Sequence, residues 1–412
     1  MTSDVRRILG AQALRALAYG FGAVLLGASL QAEGWSTIRV GVLLSFVLAG
    51  TVLASVVVGT WGDRFGRRRT YAALFIALAV TGVTFAFTDE LWLLAAVALT
   101  GALSTEVVES GPFTSLEQPM LAEDLSGPDR TRVFGTYNSV AALAGSVGAL
   151  AAGGPDLLRD TVGGVPANQR FFLLFTVVGL VGAALAGSLS GDVEPSWPVT
   201  QARVPLRTSR REVLSLSGLF AMDSFGGGFV VQSFIAFYFA RRFGTSLETL
   251  GVVFFFMGLL QSGSFMVAPR LAERFGLLRT MVFTHLPSNV LLAAVAVAPN
   301  FATAIAALFA RQALSQMDVP TRQAYVMALV PPGERTAAVA YTNTARYVTR
   351  PLGPVLAGAA QQVALGLPFL IGGAIKSAYD LALWRHFGGV ALAEAESRRD
   401  AARLAPTTEE PR

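Results

Sequence analysis

The chain has 412 residues, of which 53% are hydrophobic and only 14% charged, with a formal net charge of +5 and a mean hydropathy of +0.54. A soluble domain carries about 25% charged residues, so this composition excludes an ordinary soluble protein and points to a chain embedded in lipid. There is no Cys, which excludes disulfides and thiolate metal sites. No separate basic domain stands out, so the positive charge is assigned to membrane orientation and nucleic acid is not an expected partner.

Apolar windows recur along almost the whole length, each of about 20 residues and so able to cross about 30 Å of hydrocarbon. The first, roughly 8–31, follows Arg6 and Arg7 and lacks a small-residue cleavage site. It reads as a retained helix rather than a signal peptide. Spans two to six follow at roughly 38–60, 70–88, 91–118, 131–153 and 170–191. Between the second and third lies a compact charged loop, Gly59-Thr60-Trp61-Gly62-Asp63-Arg64-Phe65-Gly66-Arg67-Arg68-Arg69. Such a loop cannot lie in hydrocarbon and marks a tight turn at the membrane surface.

Residues 192–212 contain Pro195, Pro198 and Pro205 and the arginines 203, 207, 210 and 211, and read as an extended linker. Spans seven to twelve cover roughly 213–240, 247–269, 277–298, 301–330, 336–361 and 364–386. A weaker copy of the charged loop, Leu271-Ala272-Glu273-Arg274-Phe275-Gly276-Leu277-Leu278-Arg279, lies between the eighth and ninth. The tail 388–412 reads as a short amphipathic surface segment followed by disorder. The organisation predicted is an all-α integral membrane protein of twelve transmembrane helices. It comprises a first six-helix bundle (1–191), a linker (192–212), a second six-helix bundle (213–387) and a tail (388–412).

The halves repeat. An offset of 205 aligns Gln118 with Gln323, Arg130 with Arg335, Asn138 with Asn343 and Gly148 with Gly353, and the charged loops align at an offset of 210. Six spans separate the copies, so the repeats run parallel. Of the 26 Lys and Arg residues in the loops or at the ends of spans, 21 fall on the side that carries both termini. Positive residues concentrate on the cytoplasmic side, so both termini and the Gly59–Arg69 loop are predicted to be cytoplasmic, in a multi-pass protein of a cell membrane.

A charge near the bilayer centre costs several kcal/mol unless paired or hydrated. The chain nevertheless places Arg15 in span 1, Glu106 and Glu109 in span 4, Asp223 in span 7, and Arg311, Asp318 and Arg322 in span 10. Arg346 and Arg350 follow in span 11, four apart on one helical face, and Lys376 and Asp380 in span 12. A carboxylate poised between burial and a nearby cation can load and unload a proton, which makes Glu106, Glu109 and Asp223 the proton-coupling candidates. The competing reading is a fixed pair, Arg15 with Glu106 or Arg311 with Asp223, that holds helices together. Arg15, Arg311 and Asp318 are the substrate-cavity candidates; Arg346 and Arg350 compensate Asp318 or Asp380, or serve function directly. His285, just before Pro287, reads as a hydrogen-bonded helix residue, with a pH-sensitive role as the alternative. Two histidines and scattered carboxylates give no metal-ligand spacing, and no nucleophile–base arrangement suggests an enzyme.

The ten residues Gly59 to Arg68 fit the pattern G-x-L-a-D-r-x-G-r-k, with Trp61 in place of the Leu. The pattern resembles the loop between helices 2 and 3 of major facilitator superfamily transporters. That resemblance implies two bundles around a central cavity lined by spans 1, 4, 7 and 10, on which seven of the eleven embedded charges fall. It implies that Gly59, Gly62, Asp63, Arg64, Gly66, Arg67 and Arg68, with Glu273, Arg274 and Gly276 in the second copy, form a conformational brace near span 11. Antiporter members carry an Arg-x-x-Gln-Gly signature in span 4, and none stands here. They also carry a Gly-Pro signature in span 5, where Ala149 replaces the Pro, while span 11 keeps Gly353 and Pro354. The function expected is secondary active transport of a small organic solute by alternating access, as proton-coupled efflux. The alternatives are a uniporter or proton symporter for a polar metabolite or organic anion, with Arg15 and Arg311 binding substrate, or a non-transporting sensor of the same fold. The expected partners are the solute, protons and the bilayer, with no cofactor and a monomeric chain.

Overall fold

A computed structural model describes residues 3–104, 107, 111–122, 127–161, 167–194, 206, 208–331 and 334–389. Regular structure among the described residues is helical throughout. The first half holds α1 (Ser3–Ala32), α2 (Thr37–Phe65), α3 (Arg67–Phe87), α4 (Leu91–Ala98), α5 (Pro112–Ala122), α6 (Gly127–Ala151), α7 (Gly154–Thr161) and α8 (Leu173–Gly187). Short 3-10 turns at Asn168–Phe172 and Gly191–Val193 flank α8. The second half holds α9 (Arg210–Gly228), α10 (Gln232–Phe243), α11 (Leu247–Phe275), α12 (Leu277–Val297), α13 (Phe301–Ser315), α14 (Asp318–Leu329), α15 (Arg335–Thr349), α16 (Leu352–Val363) and α17 (Leu367–Phe387).

Eight helical stretches among the described residues are long and apolar enough to cross a membrane, and they match predicted spans 1–3 and 5–9. The other four are the spans that carry most of the embedded charge, and three of those are interrupted. Span 4, predicted as one run over 91–118, is divided between α4 and α5. Gly101 (φ +69°) and Gly111 (φ +59°) sit in the gap in a conformation that disfavours any Cβ, and Pro112 opens α5, where no intrahelical N–H is needed. Span 10 breaks at Gln316–Met317, and Pro320 then falls in the first turn of α14. Span 11 breaks at Arg350–Pro351, where the ring removes a donor and restricts the preceding residue. Span 7 also breaks, at Phe229–Val231, just after the helix-weakening run Gly226-Gly227-Gly228.

Two turns are built alike. Gly66 (φ +90°) joins α2 to α3, and Gly276 (φ +87°) joins α11 to α12. The repeat in sequence is therefore a repeat in backbone conformation. For orientation, the face of the bundle holding these turns is called the Gly66 end, and the opposite face, holding the α1–α2 connection, the Trp35 end.

Each half packs its own helices: α1 on α6 and α3 on α8 in the first, α9 on α15 and α12 on α17 in the second. Small residues allow the approach. A Cβ on Gly148 would sit 1.9 Å from the Leu17 carbonyl oxygen, and one on Gly20 would sit 1.9 Å from that of Gly145. Large apolar side chains point outward along these helices, among them Phe87, Trp92, Met266 and Val363. Such an apolar exterior suits hydrocarbon and not water.

The halves meet through α2 on α16, α6 on α11 and α1 on α10. Thr37 Oγ1 donates to the Gly358 carbonyl at 2.8 Å, and Ser233 Oγ donates to that of Ala23 at 2.8 Å. The Val355 N–H donates to Ser45 Oγ at 3.1 Å, and the Leu247 N–H to Asp156 at 3.0 Å. Glycines line the same seam: a Cβ on Gly41 would meet the Pro354 carbonyl oxygen at 2.2 Å, and one on Gly358 that of Thr37 at 2.3 Å. All these contacts lie between mid-bundle and the Trp35 end, which they close.

Candidate functional site

Each half encloses a charged network. In the first, Arg15 of α1 and Glu117 of α5 are both buried and meet at 2.6 Å. Tyr71 donates to the other Glu117 oxygen at 2.6 Å, and the Tyr137 hydroxyl donates to the oxygen that Arg15 holds. Gln12 donates to the Tyr137 carbonyl at 2.9 Å. The Arg15 guanidinium also lies 4.6 Å from the Phe113 ring centre, where a cation gains from the aromatic face. One cation meets one carboxylate, and three side-chain donors converge on that carboxylate.

The second half gathers six ionisable side chains from four helices. Lys376 of α17 is bonded to Asp223 of α9. Arg322 Nη1 contacts both oxygens of Asp318, one turn earlier on α14, at 3.0 and 2.8 Å, and lies 3.9 Å from Asp223. His285 of α12 presents Nδ1 to Asp380 of α17 at 2.9 and 3.1 Å and Nε2 to Asp223 at 3.8 Å. Asn289, one turn along α12, donates to Asp380 at 2.8 Å. All six ionisable groups are buried.

The repeat relates the two networks. The 205 offset that pairs Gln118 with Gln323 also pairs Glu117 with Arg322. The first half has its cation on span 1 and its acid on span 4; the second has its acid on span 7 and a cation on span 10. The signs are reversed at corresponding places. Glu117 lies one residue before the Gln118 that reveals the repeat and is absent from the sequence candidates, as are Tyr71 and Tyr137. The offset together with the reversed charge was the signal that could have found it.

The structure brings Asp223 and Asp318 into one cluster and places Arg15 in the other. Asp223 is paired with Lys376, and Arg15 with Glu117. Arg311 is half-buried and donates to its neighbour Gln312 at 3.2 Å. Gln312 in turn donates to Gln261 of α11 at 3.3 Å, and Gln261 to Gln316 at 3.1 Å, which makes an amide patch between α11 and α13. Arg346 contributes its carbonyl to Ser224 Oγ at 2.7 Å. The Arg350 carbonyl accepts from the Gly353 N–H at 3.1 Å, at the break between α15 and α16. Pro354 belongs to the seam with α2. Glu106 and Glu109 lie outside the described residues, as does the side chain of Asp63, whose backbone is in the last turns of α2.

The loop residues are braced inside their own half. Glu194, after the turn at Gly191–Val193, accepts from the Arg67 N–H at 2.7 Å and the Arg68 N–H at 3.1 Å. It thereby caps the start of α3, where orphan N–H groups and the helix dipole favour an acid. Arg67 is buried and reaches the Val193 carbonyl at 3.3 Å, and Arg68 reaches that of Gly187 at 2.9 Å. Gly62 is buried, with Leu116 3.2 Å from where its Cβ would be, while Gly59 and Arg64 are exposed. In the second copy Glu273 and Arg274 close α11 before Gly276, and Arg274 lies 5.3 Å from the Phe275 ring centre. Glu334 holds the chain just ahead of α9, accepting from the Thr208 and Ser209 N–H groups at 2.8 and 3.0 Å. Among the described residues, no three His, Asp or Glu side chains are placed to hold a metal ion.

Comparison with known proteins agrees with this architecture. The chain is 26% identical over 425 residues to an uncharacterized membrane protein of Saccharomyces cerevisiae (strain ATCC 204508 / S288c), covering 94% of each. It is similar in fold to the xylose transporter XylE from E. coli in an inward open conformation, with a TM-score of 0.72, 14% identity and coverage of 96% of this chain and 99% of that one. The nucleoside transporter NupG superposes with a TM-score of 0.71 at 13% identity, covering 94% of this chain and 99% of that one. A bacterial homolog of the human lysosomal transporter Spinster, inward-facing and occupied, gives 0.67 at 16% identity, with 92% and 91% covered. The Major Facilitator Superfamily model matches residues 8–375. With helices arranged as two repeated bundles that fit a twelve-span architecture, and that match spanning nearly the whole chain, this multi-pass membrane protein belongs to the Major Facilitator Superfamily.

Proposed function

We propose that the chain is a secondary active transporter that exports a small organic solute across a cell membrane in exchange for protons, with both termini in the cytoplasm. The observation that carries this reading is the asymmetry of the contacts. The halves are sealed to each other from mid-bundle to the Trp35 end. At the Gly66 end, the contacts of Glu194 and Glu334 run within each half. Two internally braced bodies joined, among the described residues, chiefly from mid-bundle to one end are what alternating access needs. With cytoplasmic termini, the closed end is external and the cavity opens inward. The Gly59–Arg68 loop then acts as a brace of the first half during the motion. Asp223 is the described proton-coupling candidate, and Glu106 and Glu109 remain candidates from the sequence.

The amide patch of Gln261, Gln312 and Gln316 beside Arg311 favours a second reading, uniport or proton symport of a polar metabolite or organic anion. Flux in proteoliposomes tests both, with a compound panel and with or without an imposed proton gradient. Gradient-driven exchange supports antiport, accumulation with the proton supports symport, and gradient-independent flux supports uniport. A ligand-dependent shape change without any flux replaces transport with sensing.

A further inference from the structure

Two pairs of amides stand at equivalent places in the halves and take no part in either charged network. Gln118 pairs with Gln323 and Asn138 with Asn343 at the 205 offset. None of the four side chains makes a hydrogen bond among the described residues. Their surroundings repeat as well. Gln118 is exposed, after the buried Glu117 and before the exposed Pro119. Gln323 is exposed, after the buried Arg322 and before the exposed Ala324. Asn138, exposed, follows the buried Tyr137, and Asn343, half-buried, follows the buried Thr342.

Contacts on either side fix the direction in which the first-half amides face. Leu116 of α5 meets Gly62 of α2, and Gln118 lies two residues on, about 200° round the helix. Glu117 is turned toward Tyr137 of α6. The exposed strip Gln118–Pro119 therefore lies between the contacts with α6 and those with α2. On α6, Gly145 and Gly148 face α1, while Ser146 and Gly153 face α11. Asn138 falls between these two directions. α2 and α6 carry the seam with α16 and α11, so the open side between them faces the second half. Lipid would be a costly environment for an unbonded amide. The seam contacts themselves lie nearer the Trp35 end. Ser146 stands about two turns beyond Asn138, and Val355 about three turns beyond Asn343. Toward the Gly66 end, α5 packs chiefly on α1, α2, α3 and α6, and α14 on α11, α12 and α15, each within its own half.

We infer that these four amides seal the Gly66 end when the molecule closes there, with Gln118 and Asn138 of the first half hydrogen-bonded to Gln323 and Asn343 of the second. This inference rests on the transport reading above, because alternating access is what requires the Gly66 end to close. An amide both donates and accepts, so one amide can bond another with no change of charge. Equivalent residues of two repeats that meet about a common axis form a self-complementary contact, which calls for the same residue type on both sides. A solute in the cavity makes no such demand on both halves. Unbonded with the Gly66 end open and bonded with it closed, the amides give closure a gain of its own. The charged networks inside each half are left undisturbed by it.

The test needs no substrate. The full chain has no cysteine of its own, so cysteines that replace one amide from each half report their meeting directly. Gln118 or Asn138 is combined in turn with Gln323 or Asn343. Under a mild oxidant in native membranes, at least one of these combinations should form a disulfide. Spin labels on cysteines introduced at Phe65 and Phe275, both exposed at the Gly66 end, should show a short-distance population beside a long one. Alanine at any one of the four amides should lower the ratio of short to long about fivefold, the effect of losing one net hydrogen bond. Alanine at both members of a bonded pair should lower it no further than alanine at one. Unfolding temperatures in detergent should stay unchanged, because these side chains hold no bond while the end is open. The disulfide measurement keeps the inference testable should an alanine variant fail to fold. No disulfide in any combination, or a short population that survives alanine at all four positions, would overturn the inference. If the disulfides form but proteoliposomes show no flux, the transport reading falls and the seal stands.

Discussion

Glu117 accepts hydrogen bonds from Arg15, Tyr71 and Tyr137, all from within one half and all out of reach of solvent. Removing one member of such a pair strands a buried charge, which typically costs about 3–5 kcal/mol, whereas removing both costs far less. Arg15→Met should therefore strongly lower the unfolding temperature in detergent, and Arg15→Met combined with Glu117→Met should recover most of the loss. Equal destabilisation by the single and double variants would show that the two residues act independently. This pairing also marks the limit of what the sequence told. That charges sit inside the membrane, and on which spans, was legible from hydropathy alone. Which charge meets which depends on the rotation of each helix about its axis, and a few residues of uncertainty in a boundary is a full turn. Arg15 could thus be set against Glu106, when Glu117, three turns further along the same span, is its partner.

Among the elements, the turns were the most legible and the breaks the least. Gly66 and Gly276 stand out because a charged loop cannot enter hydrocarbon, and both adopt the same positive-φ conformation. The interruptions in spans 7, 10 and 11 leave the apolar run intact, so hydropathy passes over them; only the glycine triplet, Pro320 and Pro351 hinted at them. Glu194 was unreadable for another reason, since it lies about 130 residues from the helix it caps. A side-chain cap is worth about 1 kcal/mol. Glu194→Ala should lower stability by roughly that amount, and it should raise amide exchange at Arg67 and Arg68 while leaving exchange around the second-copy turn at Gly276 unchanged. Unaltered protection at Arg67 and Arg68 would mean that the cap is dispensable.

For the whole molecule, glycines inside a half and glycines on the seam should fail differently. Gly148→Ala places a Cβ against the Leu17 carbonyl within the first bundle; overpacking of this kind costs about 1–3 kcal/mol and should appear as lower thermal stability. Gly358→Ala meets the Thr37 carbonyl across the seam; the molecule can relieve that clash by parting. The expected outcome is a longer distance between spin labels on cysteines introduced at Arg39 and Gln362, at the Trp35 end, with a much smaller loss of stability. Orientation is tested with single cysteines and a membrane-impermeant thiol reagent on intact cells: a cysteine at Arg159 should react and one at Arg68 should not, and the reverse pattern would turn the molecule over. The seam has one more property. Its bonds join hydroxyls, carbonyls and backbone N–H groups, with Asp156 as the charged participant. Neutral contacts of this kind have almost no charge for salt to screen. Closure of the Trp35 end should therefore tolerate high ionic strength.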